Sequence, residues 1–234
     1  MKAEIEYLDL EKLEFSKAWE FQESVFKERV ERKLQNRTLP EKDRHYLKNL
    51  LLFVEHPHVY TLGKSGASNN LLINDDFLKK IDASYFHIDR GGDITYHGPG
   101  QIVGYPIFDL DQFGIHLKEY VHSLEECIIL FLKEMNIDAG RLTGATGVWL
   151  DPGGPKARKI CAIGVKASRF ITMHGFAFNV NTNLDYFSYI NPCGFTDKGV
   201  TSMKKELGEV QDIAKVKSRL KDIIISYFKE VAGS

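Results

Sequence analysis

The 234-residue sequence predicts a mixed α/β (α+β) fold, with helices packed on a central sheet. Strand-like apolar segments come in runs, and two long stretches repeat apolar residues every three or four positions. No regular strand–helix–strand alternation asks for a parallel nucleotide-binding sheet.

The elements follow in order. Ala3, Ile5 and Tyr7 alternate with Lys2, Glu4 and Glu6, the two-residue period of an opening strand. Ser16 is placed to cap a helix reaching about Arg37, with Trp19, Val25, Phe26 and Val30 as its apolar face. Residues 50–54 are a compact apolar run, a buried strand stopped by Glu55, His56 and Pro57. Residues 85–89 and 93–96 read as two strands around a Gly91-Gly92 turn, and 101–108 as a third. Leu117, Val121, Leu124, Ile128, Phe131 and Met135 then mark the clearest helix. Strands are expected over 148–150, 159–166 and 170–180. A closing helix carries Ile213, Val216, Leu220, Ile224, Tyr227 and Val231. Neither repeats nor linker-like stretches divide the chain, so one domain over 1–234 is expected.

Composition narrows the function classes. With 43% hydrophobic and 27% charged residues the chain is a folded protein rather than a disordered one. Its 31 basic and 32 acidic residues leave a net charge of −1, which supplies no field for nucleic acid. Three cysteines cannot close a disulfide framework, which fits a reducing, cytoplasmic compartment. The N-terminus lacks the apolar core of a signal peptide, and no run is long enough to cross a bilayer.

The densest motif is Arg90, Gly91, Gly92, Asp93, Ile94, Thr95, Tyr96, His97, Gly98, Pro99, Gly100 and Gln101. So many glycines weaken regular structure but let backbone approach a ligand closely, while Arg90, Thr95, Tyr96 and His97 add polar groups. The plain alternative is a glycine-rich hairpin with a polar tip. It is not G-x-G-x-x-G, and Gly63-Lys64-Ser65 lacks the upstream glycine of a P-loop, since position 58 is His. His56 and His58 flank a proline and lack a third ligand, so no metal is expected.

The cysteines differ in setting. Cys127 lies on the apolar face of the strong helix and reads as filler. Cys161 sits within a strand. Cys193 follows Pro192 and precedes Gly194, a sharp turn that either aims a nucleophile or is only a turn.

Together with the motif at 90–101, five further segments resemble the octanoyl-[acyl carrier protein]:protein octanoyltransferases of lipoate synthesis. They are Thr146 to Trp149, Lys159 to Val165, His174 to Ala177, Pro192-Cys193-Gly194 and Val200-Thr201-Ser202. Glu55-His56-Pro57 and Tyr60 to Gly63 match in order as well, so the resemblance spans about 50–205. It implies the fold of the biotin/lipoate ligase catalytic domain, one α/β domain with a central mixed sheet flanked by helices. It implies an acyl-carrying nucleophile at Cys193 and a lysine partner at Lys159. Substrate contacts are implied at Arg90 to His97, at Ala162, Ile163 and Gly164, and at Gly175, Phe176 and Ala177. The implied donor is octanoyl-acyl carrier protein. The implied acceptors are lipoyl domains of 2-oxoacid dehydrogenase complexes and the glycine cleavage H protein, with no cofactor, nucleic acid or membrane. Residues 151–158 form an insert relative to the family, and the first forty residues carry no assigned role.

The chemistry sets requirements. A free cysteine is only a few per cent thiolate at neutral pH, so Cys193 needs a base or a cationic neighbour. To act as a base near neutrality, Lys159 needs roughly 4 kcal/mol of environment to depress its ordinary pKa. Backbone amides at Cys193 and Gly194 and the His97 side chain are candidate oxyanion donors. Val165, Phe176 and Phe178 either line an acyl slot or pack the core. In a regular strand Lys159 and Cys161 share a face, which makes Cys161 a rival partner. An ATP-dependent ligase on the same scaffold and an idle carrier-binding module are the competing readings.

Overall fold

In the computed structural model, residues 3–191 and 198–233 are described. The elements run β1 (Ile5–Lys12), α1 (Phe15–Asn36), β2 (Asn49–Glu55), β3 (Val59–Leu62), α2 (Asp75–Lys80), β4 (Ser84–His87), β5 (Thr95–His97) and β6 (Gln101–Ile107). They continue with α3 (Leu117–Glu134), β7 (Gly140–Leu142), β8 (Ala145–Leu150), β9 (Arg158–Ser168), β10 (Ile171–Asn179), β11 (Gly199–Val200), α4 (Met203–Leu207) and α5 (Ile213–Val231).

The main sheet has the order β1-β2-β6-β10-β9-β8-β7, with β11 added beside β9. The β1–β2 and β11–β9 pairs are parallel and the others antiparallel, so the sheet is mixed. Strand alternation sorts side chains between two layers. Ile102, Phe176 and Phe178 point to the face covered by α3 and α5, where they meet Leu124, Ile128, Phe131, Leu220 and Phe228. Val103, Tyr105, Ile107 and Met173 point the other way, against Ala18 and Phe26 of α1. The two periodic helices lie where their apolar faces require. Each buried leucine, isoleucine or phenylalanine there contributes about 1.5–3 kcal/mol, more than helix propensity provides.

Two expectations are corrected. The first helix starts at Phe15, after Glu14, with no side-chain cap, so Ser16 lies inside its first turn. The burial of Phe15 and Ala18, rather than a hydroxyl cap, fixes this end. The segments around Gly91 and Gly92 do not pair with each other. β3 lies between them, parallel to β4 and antiparallel to β5, as the centre of a second, three-stranded sheet. β3 is only four residues long and fully buried, so it shows neither alternation nor length. β6, the third strand expected after them, belongs to the main sheet.

Candidate active site

A cavity of about 300 Å³ lies between the main sheet and the loop joining β4 to β5. Its floor is made of small residues that leave room above the strands. Ala162 on β9 pairs with Ala177 on β10, and Gly164 pairs with Gly175. The residues between them, Ile163 and Phe176, border the cavity but send their side chains into the opposite core. The Phe176 ring packs edge-on against Phe53 at 6.0 Å and fills the space that a side chain at position 104 would need. Val165 and Phe178 also belong to that core and are not among the lining residues.

The roof is the glycine-rich loop. Arg90, Gly92, Asp93, Ile94, Thr95 and His97 line the cavity. Gly91 instead staples the loop to the floor, its amide donating to the Val165 carbonyl at 2.9 Å. That approach is close enough that a Cβ on Gly164 would stand 2.8 Å from the Gly91 carbonyl oxygen. Tyr96 is fully buried away from the cavity, stacked near Tyr186 and bonded through its hydroxyl to His58 Nδ1 at 2.7 Å. Much of the loop's polarity serves its own shape. Arg90 Nη2 donates to the Thr61 carbonyl and hydroxyl at 2.7 and 3.0 Å. Asp93 accepts from Asn70 Nδ2 at 2.9 and 2.7 Å.

A chain of buried hydrogen bonds defines the state of His97. The Thr201 carbonyl can only accept, so Asn179 Nδ2 donates to it at 3.0 Å. Asn179 Oδ1 therefore accepts from Gln101 Nε2 at 2.9 Å. Gln101 Oε1 is left to accept from His97 Nδ1 at 2.9 Å, and Thr61, already accepting from Arg90, donates to His97 Nε2 at 3.3 Å. Burial lowers the His97 pKa to about 3, with His56 and Arg90 adding to it. Both ring nitrogens are thus engaged, and the neutral ring has no N–H directed at the cavity.

Lys159 lines the cavity, its Nζ 4.6 Å from the centre of the Trp149 ring. Trp149 is itself fixed by Nε1 donating to the Ala145 carbonyl at 2.9 Å. Cys193 lies outside the described residues. Cys161 is fully buried in the core beneath α3 and α5, and burial pushes its thiol well above the usual range. Trp149 pairs with Lys159 while Val148 pairs with Cys161, so Ile160 is an extra residue, a β-bulge on β9. The bulge breaks the alternation, so the expectation that Lys159 and Cys161 share a face fails. Cys127 is buried filler, as its helix position implies.

Several lining residues were not among the expected substrate contacts. His174 has φ +61, rare for a non-glycine residue, and joins the lining although strand parity assigns it to the opposite face. Its Nε2 lies 3.2 Å from Asp89 Oδ1, and Lys166 Nζ lies 2.5 Å from Asp89 Oδ2. The His174 hydrogen bond and then Lys166 hold the Asp89 carboxyl well below the usual range. Phe15, Tyr105 and Asn179 also contribute, whereas the 151–158 insert supplies none of the described lining.

Comparison with known proteins fits this geometry. The family model of the lipoyl protein ligase A/B catalytic domain matches residues 15–225. The chain is 54% identical over 212 residues to an octanoyltransferase of Bacteroides fragilis, covering 91% of this chain and 92% of that one. It is 53% identical over 223 residues to the Parabacteroides distasonis octanoyltransferase, covering 95% and 97%. The fold is also that of more distant solved structures. A lipoic acid-bound protein of T. acidophilum, described as a putative lipoate protein ligase, superposes with TM-score 0.61 at 16% identity, covering 97% of this chain and 86% of that one. P. falciparum LipL1 in complex with lipoate gives 0.65 at 11% identity, covering 96% and 61%. Among the described residues no helix is long and apolar enough to cross a membrane. With 53–54% identity over 91–95% of its length, the chain belongs to the octanoyltransferases of the lipoyl protein ligase A/B catalytic domain family and is an acyltransferase.

Proposed function

We propose that the enzyme takes octanoyl from octanoyl-acyl carrier protein onto Cys193 as a thioester and passes it to a lysine amine of a lipoyl domain. Lipoyl domains of 2-oxoacid dehydrogenase complexes and the glycine cleavage H protein are the acceptors. In the first step the Cys193 sulfur attacks the thioester carbonyl, its proton goes to Lys159, and the Lys159 ammonium returns that proton to the carrier sulfur as it leaves. In the second the acceptor amine attacks the Cys193 thioester, Lys159 takes the amine proton and passes it to the departing Cys193 sulfur, and the amide is formed. The donor is already activated, so the sequence needs no ATP. The lining residues of 90–97, without Gly91 and Tyr96, together with Ala162 to Gly164 and Gly175 to Ala177, surround the acyl group.

The observation that carries this reading is Lys159 at the rim of a cavity with an apolar, small-residue floor. The described neighbours of the cysteine segment support it. Lys198, Gly199 and Val200 line the same cavity, and β11 pairs with Arg158 and Lys159. On the other side, Asn191 donates from its amide to the Asn70 carbonyl at 2.8 Å, and Asn70 is bonded to the lining residue Asp93.

The test is intact mass after mixing enzyme with octanoyl-carrier protein and no ATP. One octanoyl adduct is expected, discharged by an apo lipoyl domain and missing in Cys193→Ala. A persistent adduct in that variant would exclude Cys193, and a strict ATP requirement would favour a ligase.

A further inference from the structure

The far wall of the cavity is built by a residue outside every motif. Its described lining runs from Ile88 to Val200, with Phe15, the first residue of α1, as the exception. Lys159 sits on β9, beside β8 and β11. Phe15 lies towards the β2 and β6 side of the sheet. It packs against His56, just past the end of β2, with ring centroids 5.4 Å apart, and stacks on His97 at 6.3 Å. Between these two ends the floor crosses the strands through Ala162, Ala177 and Val103, which stand in register. Neighbouring strands lie about 4.8 Å apart, so the path from β9 to β6 is roughly 10 Å. It passes over two alanines and ends at an aromatic ring.

We infer that Phe15 is the stop that sets the length of acyl chain the enzyme accepts. This rests on the reading of the cavity as the acyl site. The ring is 2% exposed and held only by packing, against Trp19, Phe86, Val59 and Ile88. Its neighbours in the wall are tied by polar bonds, Tyr105 to His56 Nε2 at 2.8 Å and His174 to Asp89. A chain that grows past this wall therefore meets the Phe15 ring, and removing that ring opens the space behind it.

Competition among donors tests this. Equimolar hexanoyl-, octanoyl-, decanoyl- and dodecanoyl-carrier protein are offered to the full-length enzyme with an apo lipoyl domain, and product ratios are read by mass. Phe15→Ala is expected to raise the decanoyl-to-octanoyl ratio by up to roughly fifteenfold, two methylenes at about 0.8 kcal/mol each. Phe15→Leu shifts it less in the same direction, and Phe15→Trp shifts it towards hexanoyl. The ratio is read within one sample, so partial unfolding lowers all products alike. Should the alanine variant not fold, the leucine and tryptophan variants carry the test. Unchanged ratios in the folded variants would overturn the inference. Ala162→Leu, which fills the floor, separates this from the underlying reading. If that variant still transfers octanoyl at the wild-type rate, the cavity is not the acyl site. If it loses transfer while Phe15 ratios stay fixed, the cavity stands and Phe15 is not the stop.

Discussion

Lys159 and Cys161, two residues apart on one strand, face opposite sides of the sheet. The bulge at Ile160 separates them, sending Lys159 to the cavity and Cys161 to the core beneath α3 and α5. A thiol buried among apolar side chains is held in its protonated, unreactive form. Cys161→Ala is therefore expected to cost about 1 kcal/mol of stability, the loss of one small buried group. Octanoyl transfer should stay within about twofold of wild type under standard assay. A loss as large as that of Cys193→Ala would restore Cys161 as a partner of Lys159.

Gly147 supports Lys159 from the neighbouring strand. Its φ of +120 excludes ordinary side chains, and an added Cβ would collide with the Cys161 carbonyl and touch the Lys159 methylenes at 3.5 Å. Its amide also donates to the buried Glu125 Oε1 at 2.9 Å. Gly147→Ala should destabilise the protein by about 1–3 kcal/mol, the usual cost of a forced backbone. Denaturant unfolding reads that loss. Turnover should fall beyond it, because the Cys161 carbonyl that must shift lies on the strand that carries Lys159, and a variant with normal kcat would show that the contact is irrelevant.

Gln101 connects the glycine-rich loop to the Lys159 strand. It accepts from His97, donates to Asn179, and through Asn179 reaches the Thr201 carbonyl; the Thr201 amide donates to the Lys159 carbonyl at 2.9 Å. Gln101→Met keeps the volume but leaves buried partners unpaired, at about 1–3 kcal/mol for each group stranded. His97 also loses the bond that fixes its proton on Nδ1. Nitrogen chemical shifts of the His97 ring should show a single Nδ1–H form in the wild type and a mixture in the variant. A single unchanged form would mean that Gln101 does not set the tautomer.

The parts of this architecture that were legible are those with a long-range period. The apolar stripes of α3 and α5 repeat over five turns, so their helices and buried faces follow directly from the order of residues. The motif at 90–101 was legible as exceptional backbone, yet its Arg90 and Asp93 partners, Thr61 and Asn70, come from β3 and the loop beyond it. Those pairings depend on β3 lying between β4 and β5, which a four-residue buried strand does not announce. The Ile160 bulge and the positive φ of His174 each undo a parity argument at one residue, and parity is what strand reading relies on. Phe15 reaches the cavity from 73 residues before the next lining position, Ile88, a proximity that only the assembled sheet creates.

The paired histidines beside Phe15 predict an acid-sensitive fold. His56 and His97 lie 5.9 Å apart, and burial lowers their pKa values to about 4 and about 3. Their bonds suit the neutral rings. His56 Nδ1 donates to the Leu13 carbonyl at 2.7 Å while Nε2 accepts from Tyr105, and His97 is satisfied through Gln101 and Thr61. A second proton on either ring would face a hydroxyl that already donates to it. The unfolded chain binds these protons near pH 6.5, so below that value it holds more protons than the folded one. Stability should then be level above pH 6.5 and fall by about 1.4 kcal/mol per pH unit for each histidine. At pH 5 that amounts to about 2 kcal/mol each. Asp89 acts in the same sense but in a lower range. Its depressed carboxyl adds stability that is lost only as pH drops below the ordinary carboxylate value, outside this window. Urea unfolding between pH 7.5 and 5 should show the histidine slope, to which His174 and His58, whose pKa values burial also lowers, add. His56→Gln should remove one histidine's share of it. A level profile across that range would mean that the two rings accept protons in place, and that the neutral network around His97 is not what holds this wall together.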